Sequence, residues 1–197
     1  MKRVSLIFFS ILFSVMTLNA SKVDFLRYEL HEATLSGDLD GVKKAIKSGI
    51  KVNSKDGWGN AALHYVTTVE IAEYLIKKGA NVNEKNSQGD VPLHHSRSAK
   101  IAKFLIKKGG DVKAANNDGE LPIHTVIYIY MESLAVIKLF IKHGVDINAR
   151  NDSGETVLSK VEKKIEVYEK TGGDLMKDAI NLLKKLKKEL VRLGAKN

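Results

Sequence analysis

Four segments of this chain repeat one another in phase. Lys47–Asn53, Lys77–Asn83, Lys107–Lys113 and Lys142–Asn148 each place a Gly two residues after a Lys, followed by an alternation of apolar and polar residues. The glycines fall at 49, 79, 109 and 144, so the spacings are 30, 30 and 35. A period of this size implies small stacked units, each too small to bury its own apolar face alone. Ahead of the Gly runs an apolar stripe, such as Ile71, Ala72, Leu75, Ile76 or Ile101, Ala102, Leu105, Ile106. That spacing marks one face of a helix, and a Gly just past it is a common helix stop.

About ten residues after each of these glycines sits another, at 59, 89, 119 and 154. Asn or Asp precedes it, as in Asn116–Asn117–Asp118 and Asn151–Asp152–Ser153, which are turn sequences. A new helix then opens with Ala62–Leu63–His64, Pro92–Leu93–His94 or Pro122–Ile123–His124. Both prolines of the chain take that first-turn position, where a missing N–H costs nothing. Each unit reads turn, helix, short connection, helix, Gly.

The pattern resembles the ankyrin repeat, with its Thr-Pro-Leu-His helix start and later Gly-Ala-Asp-Val-Asn arm. The likeness runs over roughly residues 24–159, with the tail continuing it. It implies an all-α ankyrin-repeat solenoid of about five helix–turn–helix repeats with β-hairpin loops and a C-terminal helical cap. The expected divisions are 1–20, 21–159 for the repeats and 160–197 for the cap. Some units depart from the pattern. His64 to Gly79 and His94 to Gly109 are each 15 residues, against 18 for His31 to Gly49 and 20 for His124 to Gly144. Ala61–Ala62 stands where Thr-Pro would be, and the last unit, Thr156–Val157–Leu158–Ser159, lacks the His. Gly172–Gly173 divides the tail into two helices with apolar faces Val157, Leu158, Val161, Ile165, Tyr168 and Ile180, Leu183, Leu186, Leu190, Leu193. Such faces suit a terminal unit that closes the array.

The first twenty residues read differently. Lys2 and Arg3 precede an uncharged apolar run from Val4 to Leu18, then the small and polar Asn19–Ala20–Ser21. That order is the layout of a secretory signal peptide of bacterial type, with cleavage expected after Ala20. The run is short for a membrane span, which needs about 20 residues, although an uncleaved anchor is the alternative.

Little in the chain suggests chemistry. It has no Cys, which excludes disulfides, thiolate nucleophiles and Cys-ligated metals. It also lacks a phosphate loop, a nucleophile elbow and a two-His helix motif. No enzyme activity, cofactor or metal is expected. The ankyrin resemblance implies that His64, His94 and His124 brace the hairpins through local hydrogen bonds. Stacked units also hold equivalent residues about 10 Å apart, too far for one ion. His95 is expected on the surface.

The resemblance puts the recognition surface on the hairpin tips and assigns these positions to it: Lys55, Trp58 and Asn60; Lys85, Gln88 and Asp90; Asn117, Asp118 and Glu120; Arg150, Asp152 and Glu155. Trp58, the single Trp, lies between two glycines and is open to two readings, partner contact or packing on a neighbouring hairpin. Tyr128 and Tyr130 point to different helical faces, so at most one is expected to be exposed.

The formal charge of +9 raises nucleic acid or an anionic membrane as partners. Residues 160–197 alone hold eleven Lys or Arg against six Asp or Glu. Their leucines are needed to close the array, which makes membrane contact through the basic last helix the weaker alternative. Nucleic acid is not expected, because no aromatic platform interleaves the lysines. The expectation is a monomeric, non-catalytic protein-binding module, exported to the periplasm as a scaffold or adaptor for an envelope protein. A secreted effector binding another cell's proteins is the alternative.

Overall fold

The computed structural model describes residues 28–96, 98–129, 132–171 and 176–197. The signal-like segment, Gly172–Gly173 and Tyr130 lie outside them, and of Tyr128 only the backbone is described. Helix α1 covers 28–36 and α2 Leu39–Lys47. A one-turn 3-10 helix, Ala62–Tyr65, precedes α3, Val69–Lys77, and a second, Pro92–His95, precedes α4, Ala99–Lys107. Then come α5, Pro122–Thr125, running into a 3-10 turn over Val126–Ile129, and α6, Ser133–Lys142. The chain ends in α7, Val157–Thr171, and α8, Lys177–Arg192. The second helices pack in the row α2, α3, α4, α6, α8, while the first-position helices from Ala62–Tyr65 through Pro92–His95 and α5 to α7 form a parallel row. This is the expected all-α solenoid. Among the described residues there is no β-strand, only an isolated bridge between Lys55 and Ala61.

The second helices form because capping and apolar spacing agree. Asp38, Thr68 and Ser98 accept N–H bonds at the starts of α2, α3 and α4. The predicted stripes Ile71, Ala72, Leu75 and Ile101, Ala102, Leu105 are buried. Each leucine contributes about 2 kcal/mol by leaving water. The helix ends repeat as well. The N–H groups of Ala80, Gly110 and Val145 donate to Leu75, Leu105 and Phe140, at 2.9, 2.8 and 3.1 Å.

The first helices of units two and three differ from expectation. They are single 3-10 turns of four residues rather than α-helices. The three-residue deficit accounts for this, since it removes nearly one α-turn of about 3.6 residues. Unit four, with its longer interval, regains α5 and a further turn.

Unit three carries a flaw that the equally short unit two does not. Ser96 is 1% exposed, and its hydroxyl has no hydrogen-bond partner among the described residues. Val66 fills the equivalent place one period earlier and is also buried. Ser96→Val is therefore expected to stabilise the protein by about 1 kcal/mol, as an unsatisfied buried hydroxyl gives way to an apolar group. Thermal unfolding of the variant checks this, and a lowered midpoint would show that the pocket cannot take the extra methyl.

The C-terminal segment is a fifth unit. The expected boundary at 159/160 falls inside α7. Helix α8 ends as the repeats do, with Gly194 at φ 91° and the Ala195 N–H donating to Leu190 at 3.0 Å. Asn53 donates to the Gly79 carbonyl and accepts from the Asn81 N–H, and Asn83 treats Gly109 and Asp111 likewise. Asn148 makes the same pair of bonds to Gly194 and Lys196. Leu183, Leu186 and Leu190 are buried, while Lys184 and Lys187 pair with Glu169 and Glu162 of α7 at 2.6 and 2.8 Å. Two of the eleven basic residues of the tail thus tie α8 to α7. No described helix is long and apolar enough to cross a membrane.

Candidate interaction surface

Each tip is built on one side chain three residues before its Gly. Asp56 Oδ1 accepts from the N–H groups of Trp58 and Asn60, both at 2.9 Å. Asn86, Asn116 and Asn151 accept in the same way from the residues two and four positions on. Backbone bonds then tie tip to tip. The Ser87, Asn117 and Asp152 N–H groups donate to the Trp58, Gln88 and Asp118 carbonyls, at 3.1, 2.9 and 3.0 Å. The approach is close enough that a Cβ on Gly59, Gly89 or Gly119 would lie 2.6, 2.8 or 2.9 Å from the next tip's backbone nitrogen.

The histidines do what the resemblance implies, over a longer reach. Nδ1 of His64, His94 and His124 accepts the N–H of Ala61, Val91 and Leu121, at 3.2, 3.1 and 2.9 Å. Nε2–H then donates across to the next unit, to the carbonyls of Asp90, Glu120 and Ala149 at 3.1, 2.9 and 2.9 Å. Both ring nitrogens are occupied, and the neutral tautomer is set by these partners. Burial holds His64 and His94 below the usual imidazole range, outweighing the acceptors that favour a proton. Among the described residues no three His, Asp or Glu side chains converge as metal ligands.

The predicted tip positions divide. Lys55, Trp58, Lys85, Gln88, Asn117, Asp118, Arg150 and Asp152 are exposed. Asn60 and Asp90 are not: they are 8% and 6% exposed and belong to an internal ladder. Asn86 donates to Asn60 Oδ1 and Asn116 to Asp90 Oδ1, both at 2.8 Å. Glu120 and Glu155 are half-buried and spent on the last unit, paired with Lys160 and Lys163. Their position directly after the tip Gly turns the side chain inward. Even the exposed lysines lie along the surface. Lys55 donates to the Lys85 carbonyl at 2.7 Å, and Lys85 to that of Ala115 at 3.0 Å. His95, expected outside, is half-buried and donates to Asp90 Oδ2 at 3.1 Å. Burial opposes ionisation of Asp90, yet His95 and Asn116 outweigh it and hold its carboxyl below the usual range.

Sequence reasoning missed the surroundings of Trp58. Its backbone is fixed on both sides, but its ring is 74% exposed, so packing on a neighbouring tip is not realised. The ring lines a cleft of about 340 Å³ between the first tip and α1, together with Tyr28, Leu35, Tyr65, Glu32 and Asp56. The Tyr65 hydroxyl donates to Asp56 Oδ2 at 2.5 Å. Burial opposes ionisation of Asp56, but that bond and the backbone donors prevail and keep its carboxyl below the usual range. Tyr28, Glu32 and Leu35 recur every three to four residues on one face of α1, which was the legible signal.

Two family models match the chain, one for ankyrin repeats in three copies over residues 30–116 and one for the single ankyrin repeat over 118–152. No curated protein matches it.

Proposed function

The chain belongs to the ankyrin-repeat family, whose repeats mediate protein–protein interaction, and from that premise we propose that it is a non-catalytic binding module exported to the periplasm, where it serves as a scaffold or adaptor for an envelope protein. One observation carries the binding role. Trp58, a residue type enriched at interface hot spots, projects its ring into solvent from a backbone that hydrogen bonds immobilise. An exposed aromatic on a rigid support is pre-organised for contact, because little entropy remains to be lost on binding. Five units at about 10 Å each give a face long enough for a standard interface of about 800 Å² per partner.

The positive, apolar, small order of residues 1–20 supports export. Cell fractionation with N-terminal sequencing tests it, the expected product being a periplasmic protein beginning at Ser21. Retention in the cytoplasm would refute this reading. Pull-down from the native compartment tests the surface. Trp58→Ala is expected to reduce partner recovery at least tenfold, given the ≥ 2 kcal/mol typical of a hot-spot Trp, and Lys85→Glu to reduce it less. Unchanged recovery with both variants would remove the tip surface from the binding role.

A further inference from the structure

The two ends of the array differ in charge. Helix α1 carries Glu29 and Glu32 and no Lys or Arg, and Asp38 and Asp40 follow it, offset by Lys43, Lys44 and Lys47 along α2, whereas the C-terminal segment is strongly basic. The surface beside α1 also exposes two aromatic residues and a leucine: Trp58 at 74%, Tyr28 at 66% and Leu35 at 37%. These groups are one feature. Trp58, Tyr28, Tyr65 and Leu35 wall the cleft, and Glu32 and Asp56 line it beside them. A second cleft shares Glu32 and adds Glu29, Asp38 and Asp40 together with one cation, Lys44.

We propose that this cleft receives an arginine or lysine side chain of the partner protein, its alkyl stem against Leu35 and its cationic head held by the Trp58 and Tyr28 rings and the Glu32 and Asp56 carboxylates. The proposal rests on the protein-binding reading and names the chemistry of the contact. Aromatic faces attract cations through the ring quadrupole, most strongly at Trp, and arginine also stacks on them. A carboxylate beside the rings adds charge complementarity. A purely apolar side chain would desolvate Glu32 with nothing to pair it, and an acidic one would be repelled. The basic C-terminal unit does not cancel this field. It lies several repeats away, and charges separated by more than about 8 Å are largely screened at physiological salt.

Trp58 is the single Trp, so its emission reports on the cleft directly. The test pans a random peptide library on the full chain, then titrates enriched peptides while following Trp58 fluorescence. Enriched peptides are expected to share an Arg or Lys whose replacement by Gln weakens binding. Trp58→Ala, which lacks that emission and is titrated by calorimetry beside the wild type, should weaken them about 30-fold, the loss typical of a hot-spot Trp. Glu32→Gln should weaken them about 3-fold and Glu32→Lys about tenfold, with the Glu32 effects shrinking at high salt. The changed side chains are exposed, so all three proteins should keep the wild-type melting point. Peptides without an Arg or Lys excess, an unmoved Trp58 emission, undiminished binding to Trp58→Ala, or a library from which nothing is retained would each overturn the proposal. If peptides without that excess bind and lose affinity in Lys85→Glu, the binding-module reading stands while the cleft assignment falls.

Discussion

Replacing Gly89 by alanine is expected to destabilise the protein by about 3 kcal/mol, whereas Gly79→Ala should cost about 1 kcal/mol. Both glycines have positive φ, 79° at Gly89 and 92° at Gly79, so the backbone penalty is shared. What differs is the space around them. A Cβ at Gly79 meets nothing within 4 Å, while one at Gly89 would sit 2.8 Å from the Asn117 backbone nitrogen. That nitrogen donates to the Gln88 carbonyl, and backbone cannot move aside as a flexible side chain would. Relief therefore means prising the second tip from the third, which breaks the Gln88–Asn117 bond and strains the Asn116–Asp90 contact behind it. Because a solenoid is stabilised largely through nearest-neighbour interfaces, the damage should also loosen coupling between the halves of the array. Urea unfolding of the two variants measures the difference. Equal midpoints would mean that the tip-to-tip contact contributes nothing to stability.

The recurring His and Gly carried most of the fold into view, because each does a job that only its residue type does well. An imidazole can accept from one unit and donate to the next, and a Gly admits both positive φ and close backbone approach. The interval lengths were legible too, and the three-residue deficit in units two and three became the loss of a helical turn. The direction of short side chains at the tips was harder to see. Asn60 and Asp90 carry polar groups at turn positions, which from sequence suggests exposure, yet a neighbour's amide draws each inward. The phase of Asp56, Asn86, Asn116 and Asn151 was the available clue to that ladder. The last unit was legible from its Thr156–Ser159 start and its two apolar faces, although the His marker is absent. Ser159 replaces the His, and its hydroxyl accepts the Thr156 N–H at 2.9 Å, which keeps the local half of the brace. In the other units the second nitrogen reaches across to the following unit.

Acidification below about pH 6.5 is expected to unfold the protein progressively, with His64 and His94 leading. In the folded state each ring is buried, and its Nδ1 accepts a backbone N–H, so a proton there would set donor against donor. Their folded pKa values consequently lie below the ordinary 6.5, while the unfolded chain titrates near it. Above about pH 6.5 both states hold neutral rings and the full stability is present. Below that value the unfolded chain takes up protons that the folded one refuses. Stability then falls by up to about 1.4 kcal/mol per pH unit for each ring, until the folded pKa is passed. Asp56, Glu84 and Asp90 are held below their ordinary ranges, so they add to the loss only in stronger acid, as pH drops through the carboxylate range. Urea midpoints at about pH 7 and about pH 5.5 give the slope. His94→Gln should be less stable at neutral pH by about 2 kcal/mol, since the Val91 N–H or the Glu120 carbonyl loses its partner. Its pH slope should nevertheless be shallower, because one titrating ring is gone. A midpoint that does not change with pH, or a variant with an undiminished slope, would show that the braces do not carry the acid sensitivity.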